Sequence, residues 1–118
     1  MPSIAIVGAS NDPRKFGNQA VRTYKALGWT VYPVNPKETH IEGLPTYRSI
    51  ADLPHPVDRA SLHVPPTVGI GLLDAISARG AAELWVNPGA GSPDLIARAE
   101  QLGLVTVEAC SIIAARPA

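Results

Sequence analysis

The sequence has one cysteine, few aromatic residues and no excess charge of either sign. The single cysteine, Cys110, excludes an intrachain disulfide and a thiolate metal cluster, and it is typical of a reducing, cytoplasmic compartment. Ten basic and ten acidic residues give a net charge of zero, so no global field attracts nucleic acid or an anionic membrane. We therefore expect no nucleic-acid or membrane partner, and any anion site must be local.

Signals for targeting, membrane insertion and metal binding are also missing. No apolar run approaches the ~18 residues that a membrane span needs, and the N-terminus has no charged-then-apolar signal region. The three histidines, His40, His55 and His63, are dispersed and show no metal-ligand spacing. Neither a G-x-S-x-G nucleophile elbow nor a Walker lysine motif occurs. These absences predict a cytoplasmic protein without a metal site.

What the sequence does have is a strict alternation of apolar runs with helical patterns. At 118 residues, positions 1–118 are long enough for one domain with a single core. We predict strands near 4–7, 30–34, 58–64, 83–87 and 104–107, and helices near 16–27, 66–79 and 93–102, with a short one near 49–53. This order predicts an α/β, three-layer Rossmann-like fold with a five-stranded, mostly parallel sheet and helices on both faces.

The first predicted strand runs directly into a turn of small residues, Gly8-Ala9-Ser10. A glycine there lets the backbone turn tightly and approach a ligand, and the next helix points its N-terminal amides at the same place. The turn departs from the dinucleotide fingerprint G-x-G-x-x-G, because Ser10 takes the second glycine position and the next glycine is Gly17. We expect that a side chain at position 8 would harm ligand binding more than folding, because a Cβ there would meet an approaching phosphate.

The second predicted strand ends without the acidic residue that a plain NAD site would carry for the ribose hydroxyls. It leads instead into Asn35-Pro36-Lys37. A lysine in this place suits a phosphate on the ribose, which favours NADP or coenzyme A (CoA) over NAD. The alternative interpretation is that Lys37 is a solvated loop lysine.

All the strand ends together indicate an anionic ligand. In a parallel sheet, ligands bind outside the carboxyl ends of the strands, at the switch in strand order. These ends are rich in glycine and proline and nearly free of acids: Gly8-Ala9-Ser10, Asn35-Pro36-Lys37, Val64-Pro65-Pro66, Asn87-Pro88-Gly89 and Glu108-Ala109-Cys110. We therefore expect a small-molecule nucleotide ligand at this edge of the sheet.

Several of these stretches also carry a family resemblance that spans nearly the whole chain in order. They are Val7 to Ser10, Tyr32 to Lys37, Val64-Pro65-Pro66, Asn87 to Ala90, and Cys110. With them the chain resembles the small stand-alone CoA-binding proteins of bacteria, and it is similar to the N-terminal CoA-binding domain of the succinyl-CoA synthetase α subunit. The resemblance implies a site for CoA or an acyl-CoA.

The resemblance also implies roles for individual residues. It places Ser10, Lys15 and Phe16 in the first phosphate- and adenosine-binding loop, and it puts Lys37 at the nucleotide phosphates. Val64 and Pro65 would line the adenine and ribose side, and Val86, Asn87 and Pro88 would follow the pantetheine arm. The full set of predicted binding residues is Gly8, Ala9, Ser10, Lys15, Phe16, Gly17, Asn35, Pro36, Lys37, Val64, Pro65, Pro66, Val86, Asn87 and Pro88.

The chain departs from the family where catalysis would be expected. The family often has Asp-Arg-Cys where this chain has Glu108-Ala109-Cys110, so the arginine is missing. The phosphorylated histidine of the synthetase lies in a second domain that this chain lacks, so no histidine here inherits its role. We predict no catalytic residue; the one candidate pair is Glu108 and Cys110, which strand alternation would place on one face.

Three functions follow from these observations. The first is a module that binds CoA or acyl-CoA without turning it over alone, with a protein partner or as a homo-oligomer. The alternatives are an NADP-binding or nucleotide-sensing Rossmann protein, and a regulatory interaction subunit with a vestigial pocket. Cys110 is interpreted either as a small buried hydrophobe or as a thiol close to the thiol of bound CoA, where oxidation would join the two in a mixed disulfide.

Overall fold

The computed structural model describes all 118 residues and has a central parallel sheet between two helical layers. Its main strands are β1 (Ser3–Val7), β2 (Thr30–Val34), β5 (Val57–Leu62), β6 (Ala81–Val86) and β7 (Thr106–Val107), and a small hairpin holds β3 (His40–Ile41) and β4 (Leu44–Pro45). The helices are α1 (Phe16–Ala26), α2 (Pro66–Gly69), α3 (Leu73–Arg79) and α4 (Pro93–Gln101), with 3-10 turns at Ile50–Asp52 and Ile70–Leu72. The predicted Rossmann-like architecture is confirmed.

The sheet has the strand order β2-β1-β5-β6-β7, and all its neighbouring strands are parallel. The chain moves outward from β1 to β2, then returns to pair β5 on the other side of β1. The order therefore switches between β1 and β5, and this is where a parallel sheet opens a crevice at its carboxyl end. Pro33 is tolerated in β2 because β2 is an edge strand.

Each face of the sheet has its own apolar core. On one face, Ile4 and Ile6 of β1 pack with Ala20, Val21 and Tyr24 of α1. On the other face, alternate residues of the strands pack against α3 and α4, through Leu73, Ile76, Leu95 and Ala99. This alternation along β1 is the period-two pattern of a strand that is buried on both faces.

The structure differs from the sequence prediction mainly at element ends. The predicted helix over 66–79 is broken into α2, a 3-10 turn and α3, and Gly69 and Gly71 lie around the break. Glycine weakens a regular helix because it gains the most backbone freedom on unfolding. The last strand is only two residues long and ends at Val107. No helix is long and apolar enough to cross a membrane.

Candidate functional site

A cleft of about 690 Å³ opens at the carboxyl ends of the strands, at the switch between β1 and β5. None of its lining residues is acidic, and two, Arg14 and Lys15, are basic. Twelve of the fifteen predicted binding residues line it: Gly8, Ala9, Ser10, Lys15, Phe16, Gly17, Asn35, Pro36, Val64, Pro65, Asn87 and Pro88. The chain thus brings most of the predicted set into one concave surface that suits an anion.

Two glycines allow close backbone contacts beside the cleft, Gly8 between β1 and β5 and Gly17 between α1 and β1. Gly8 has a φ of +93°, and a Cβ there would lie 2.6 Å from the backbone oxygen of His63. A Cβ on Gly17 would clash with the backbone oxygen of Gly8. The expectation that Gly8 is required mainly for a ligand is therefore wrong, because its nearest obstacle is the neighbouring strand. Gly17 serves the close helix–strand packing that the third glycine of the fingerprint provides elsewhere.

The N-terminus of α1 faces the cleft without a side-chain cap. Its N-cap residue, Lys15, makes no capping hydrogen bond, and the backbone N–H groups of Phe16 and Gly17 have no acceptor in the protein. The first amides of a helix and its dipole favour an anion. Lys15 is exposed and forms no ion pair, so its charge is available beside these amides.

The loop before α1 is held by its own polar groups. The Ser10 hydroxyl accepts a hydrogen bond from the Asp12 N–H at 3.0 Å, which leaves its proton free to donate. The Arg14 guanidinium donates to both oxygens of the Asp12 carboxylate, and these bonds lower the pKa of Asp12. Arg14 is therefore largely neutralised by Asp12, and Lys15 is the unpaired cation of the cleft.

The amide of Asn35 joins the first and second strand ends. Its Nδ2 donates to the Ala9 backbone oxygen at 2.9 Å, and its Oδ1 accepts from the backbone N–H groups of Lys37 and Glu38. Asn35 is thus a positioning residue for the Gly8-Ala9-Ser10 turn. Lys37 itself is exposed and does not line the cleft, although it lies one residue beyond Pro36, which does.

A buried polar network lies beneath the other side of the cleft. Asn87 Nδ2 donates to the Leu62 backbone oxygen at 2.7 Å and to Ser61 Oγ at 2.9 Å, and Asn87 Oδ1 accepts from the Ser111 backbone N–H at 2.8 Å. Ser61 Oγ also lies 2.9 Å from His63 Nε2. The network ties the ends of β5 and β6 to the C-terminal turn. Burial of the His63 ring lowers its pKa to about 4, so this histidine is neutral at pH 7.

A second cavity, of about 540 Å³, lies beside the Asn87-Pro88-Gly89 loop. Val86 lines this cavity and not the cleft, and so does Glu108. Cys110 lines the cleft and is half-buried. The expectation that Glu108 and Cys110 share a strand face is wrong, because β7 ends at Val107 and the two residues line different cavities.

Sequence reasoning missed several residues of the cleft, among them His63, Val68 and Ile112. His63 directly precedes Val64-Pro65, so its position at a strand end was a usable signal. Ile112 had no such signal, because it reaches the cleft through the irregular C-terminal segment. Pro66, which was predicted, begins α2 and lies outside the lining.

Known proteins that are similar to this chain include a CoA-binding domain family and CoA ligases. A family model described as a CoA binding domain matches residues 2–116. The acetate–CoA ligase [ADP-forming] II subunit alpha of Pyrococcus furiosus is 43% identical over 63 residues, which are 52% of this chain but only 14% of that subunit. The corresponding ligase of Methanocaldococcus jannaschii is 33% identical over 78 residues, 66% of this chain and 11% of the ligase.

Solved structures give the same result. A conserved hypothetical protein from Pyrococcus furiosus superposes with a TM-score of 0.88 at 34% identity, over 98% of this chain and 100% of that chain. The dinucleotide-forming acetyl-coenzyme A synthetase 1 of Candidatus Korarchaeum cryptofilum, in complex with phosphate and ADP, superposes with a TM-score of 0.80 at 32% identity. That match covers 91% of this chain and 25% of the synthetase. The chain spans a small part of these enzymes, and it belongs to the CoA-binding domain family.

Proposed function

We propose that this protein binds coenzyme A or an acyl-CoA in the cleft between β1 and β5 and does not turn it over alone. The observation that carries the proposal is the uncapped N-terminus of α1, which lies in an acid-free cleft with Lys15 beside it. This arrangement suits the diphosphate of CoA, because free backbone amides and an unpaired cation act on the same anion. Membership of the family supports the choice of CoA among nucleotides.

The two lysines near the cleft are proposed to bind different phosphates. Lys15 lies at the N-terminus of α1 and would bind the diphosphate, whereas Lys37 lies beyond the end of β2 and would bind the 3′-phosphate. CoA should then bind more tightly than dephospho-CoA, which lacks only the 3′-phosphate. A single charge-assisted contact contributes about 1.5 kcal/mol or more, which is roughly tenfold in affinity.

Isothermal calorimetry with both ligands separates these roles. Lys15→Ala should weaken CoA and dephospho-CoA by the same factor, and Lys37→Ala should weaken CoA alone. Arg48→Ala removes an exposed positive charge outside the cleft and should change neither affinity. Equal affinities of the wild type for CoA and dephospho-CoA would show that Lys37 does not bind the 3′-phosphate. NADP or ATP binding more tightly than CoA would contradict the proposed ligand.

The isolated protein is proposed to lack enzyme-like activity on acyl-CoA. Acid–base catalysis needs a titrating group within hydrogen-bond reach of the reacting atom. The cleft has no carboxylate, and its neutral histidine is bonded to Ser61. Acetyl-CoA should therefore survive incubation with the protein, as followed by chromatography. A robust rate that disappears in Cys110→Ser would make the protein an enzyme.

A partner chain is proposed to supply any chemistry. The Pyrococcus furiosus relative is a subunit alpha, and the present chain matches only a small part of it. Phe16 and Val68 line the cleft and are exposed by 67% and 50%, and Ile113 beside the cleft residue Ile112 is exposed by 86%. Such an apolar rim suits either the ligand or a second protein surface.

A further inference from the structure

His63 lies in the cleft and has one ring nitrogen engaged and one free. Its Nε2 lies 2.9 Å from Ser61 Oγ and 3.5 Å from Asn87 Nδ2. Its Nδ1 has no hydrogen-bond partner in the protein, although the ring lines the cleft. A polar atom at the wall of a binding cleft that no protein group satisfies is available to a ligand.

The surrounding hydrogen bonds decide which ring nitrogen carries the proton. The Ser111 backbone N–H can only donate, so it fixes Asn87 Oδ1 as acceptor and Asn87 Nδ2 as donor. Ser111 Oγ lies 2.9 Å from Asn87 Oδ1 and must donate to it, because that oxygen has no proton. Ser61 Oγ, 2.7 Å from Ser111 Oγ, then donates to Ser111.

Ser61 therefore has no proton left for His63. Its contact with His63 Nε2 is a hydrogen bond only if Nε2 is protonated and donates. In the neutral ring the proton then sits on Nε2, and Nδ1 has a free lone pair on a ring that lines the cleft. With the proton on Nδ1 instead, Ser61 Oγ would have to donate to His63 Nε2. Either the Ser61–Ser111 contact or the contact of Ser111 Oγ with Asn87 Oδ1 would then have no hydrogen between its two oxygens.

Charge is distributed unevenly along the cleft. The unpaired cation Lys15, the Arg14–Asp12 ion pair and, beyond the lining, Lys37 lie on the side of β1 and β2. The side formed by β5, β6 and the C-terminal turn, where His63 lies, contributes no charged residue to the lining. CoA has a matching asymmetry, since its 3′-phosphoadenosine diphosphate half is strongly anionic and its pantetheine half is neutral.

We propose that His63 Nδ1 accepts a hydrogen bond from an amide N–H of the pantetheine arm. This contact would place the neutral half of CoA on the side of the cleft formed by β5, β6 and the C-terminal turn. This inference rests on the proposed function. The arm would lie against Leu62, Val68 and Ile112, and an amide N–H placed among apolar side chains requires an acceptor. His63 is a positioning residue in this account, and it takes no part in bond making or breaking.

Truncated ligands test the proposal by calorimetry. Adenosine 3′,5′-diphosphate has the adenosine, the 3′-phosphate and the first 5′-phosphate of the anionic half, but it lacks the second 5′-phosphate and the pantetheine arm. His63→Phe keeps a ring of similar shape without an acceptor, and it should weaken CoA about fivefold to tenfold while leaving adenosine 3′,5′-diphosphate within twofold. His63→Asn places an amide near the Nδ1 position and should restore part of the CoA affinity.

The outcomes separate the inference from the proposed function. An equal loss for both ligands in His63→Phe, or no loss for either, would overturn the role of His63 while CoA binding stands. An absence of CoA binding by the wild type would overturn both. The equal loss would instead place the adenosine half that both ligands share, such as its adenine amino group, at His63.

The tautomer can be measured without any variant or ligand. Nitrogen-15 NMR of the histidine side chains at pH 7 should show His63 with its proton on Nε2 and an unprotonated Nδ1. Saturation with CoA should move the Nδ1 resonance, and saturation with adenosine 3′,5′-diphosphate should not. A proton on Nδ1 in the free protein would contradict the proposal directly.

Discussion

Among single residues, the pair Gly8 and Gly17 constrains the site most. Gly17 lets α1 approach the end of β1 so closely that its first amides open into the cleft, and Gly8 lets the end of β1 lie against the end of β5. A Cβ on either residue would meet protein backbone, which cannot rotate away as a side chain does. The shape of the cleft and the packing of the fold are therefore set by the same two contacts.

Gly17→Ala should destabilise the protein by about 1–3 kcal/mol or more, the usual cost of overpacking, because the new methyl would clash with the Gly8 carbonyl. Gly71→Ala is a matched control, since a Cβ there meets nothing within 4 Å. It should be neutral or slightly stabilising, because alanine loses less backbone freedom on folding. Urea unfolding measures both, and equal stabilities for the two variants would show that α1 can shift away from β1.

His63 should make stability depend on pH. Its pKa is lowered by burial from 6.5 to about 4, so below pH 6.5 the unfolded chain binds a proton that the folded protein does not. Stability should therefore be fully present above pH 6.5, fall as the pH drops, and level off below about 4. At 1.36 kcal/mol per pKa unit the loss is up to about 3 kcal/mol.

His63→Phe removes this titration. Its free energy of unfolding should fall less than that of the wild type between pH 7 and pH 4.5, as measured by urea unfolding at each pH. Identical pH profiles for the two proteins would mean that the His63 ring titrates normally and is not desolvated.

Among the elements, the C-terminal segment, residues 108–118, has no helix or strand and is held by side-chain contacts. The Tyr24 hydroxyl donates to the Ser111 backbone oxygen at 2.6 Å and accepts from Arg59 at 2.9 Å. The Arg59 guanidinium lies between the rings of Trp29 and Trp85, at 5.0 and 4.5 Å from their centroids. These contacts hold the segment that carries Cys110 and Ile112 into the cleft.

Tyr24→Phe should loosen this segment and destabilise the protein by about 1–3 kcal/mol, since the buried Ser111 oxygen loses its donor. The thiol of Cys110 should then react faster with a thiol reagent than in the wild type. Tyr32→Phe is the control, because Tyr32 packs edge-to-face on Tyr47 and its hydroxyl makes no hydrogen bond within the protein. Unchanged Cys110 reactivity in Tyr24→Phe would show that the anchor does not position the cysteine.

At the scale of the whole molecule, the sequence was sufficient to predict the sheet and the edge at which the cleft opens. Buried parallel strands are continuous apolar runs, and helices between them repeat at 3.6 residues, so both patterns are local. Gly8-Ala9-Ser10 and Asn87-Pro88 follow strands directly, so their place at the carboxyl edge, where they line the cleft, could be predicted. The break in the predicted helix over 66–79 was missed because the apolar residues keep their helical spacing on both sides of Gly69 and Gly71.

The parts that could not be predicted depend on contacts between distant residues. The network of Ser61, Asn87 and Ser111 joins positions 24 to 50 residues apart, and no periodic pattern in the sequence indicates it. The C-terminal segment is held by Tyr24 and Arg59 instead of by strand pairing, so it carries no pattern of its own. The pKa of His63 likewise follows from burial, which sequence does not give.

The central claim is that CoA binds at the end of the sheet between β1 and β5. Amide chemical shifts measured by NMR during a titration with CoA test it most directly, because they report the location of the ligand residue by residue. We expect the largest changes at Phe16 and Gly17 on α1 and around Asn87, with small changes in α3. An unchanged spectrum at millimolar CoA, or changes confined to residues outside the cleft, would contradict it.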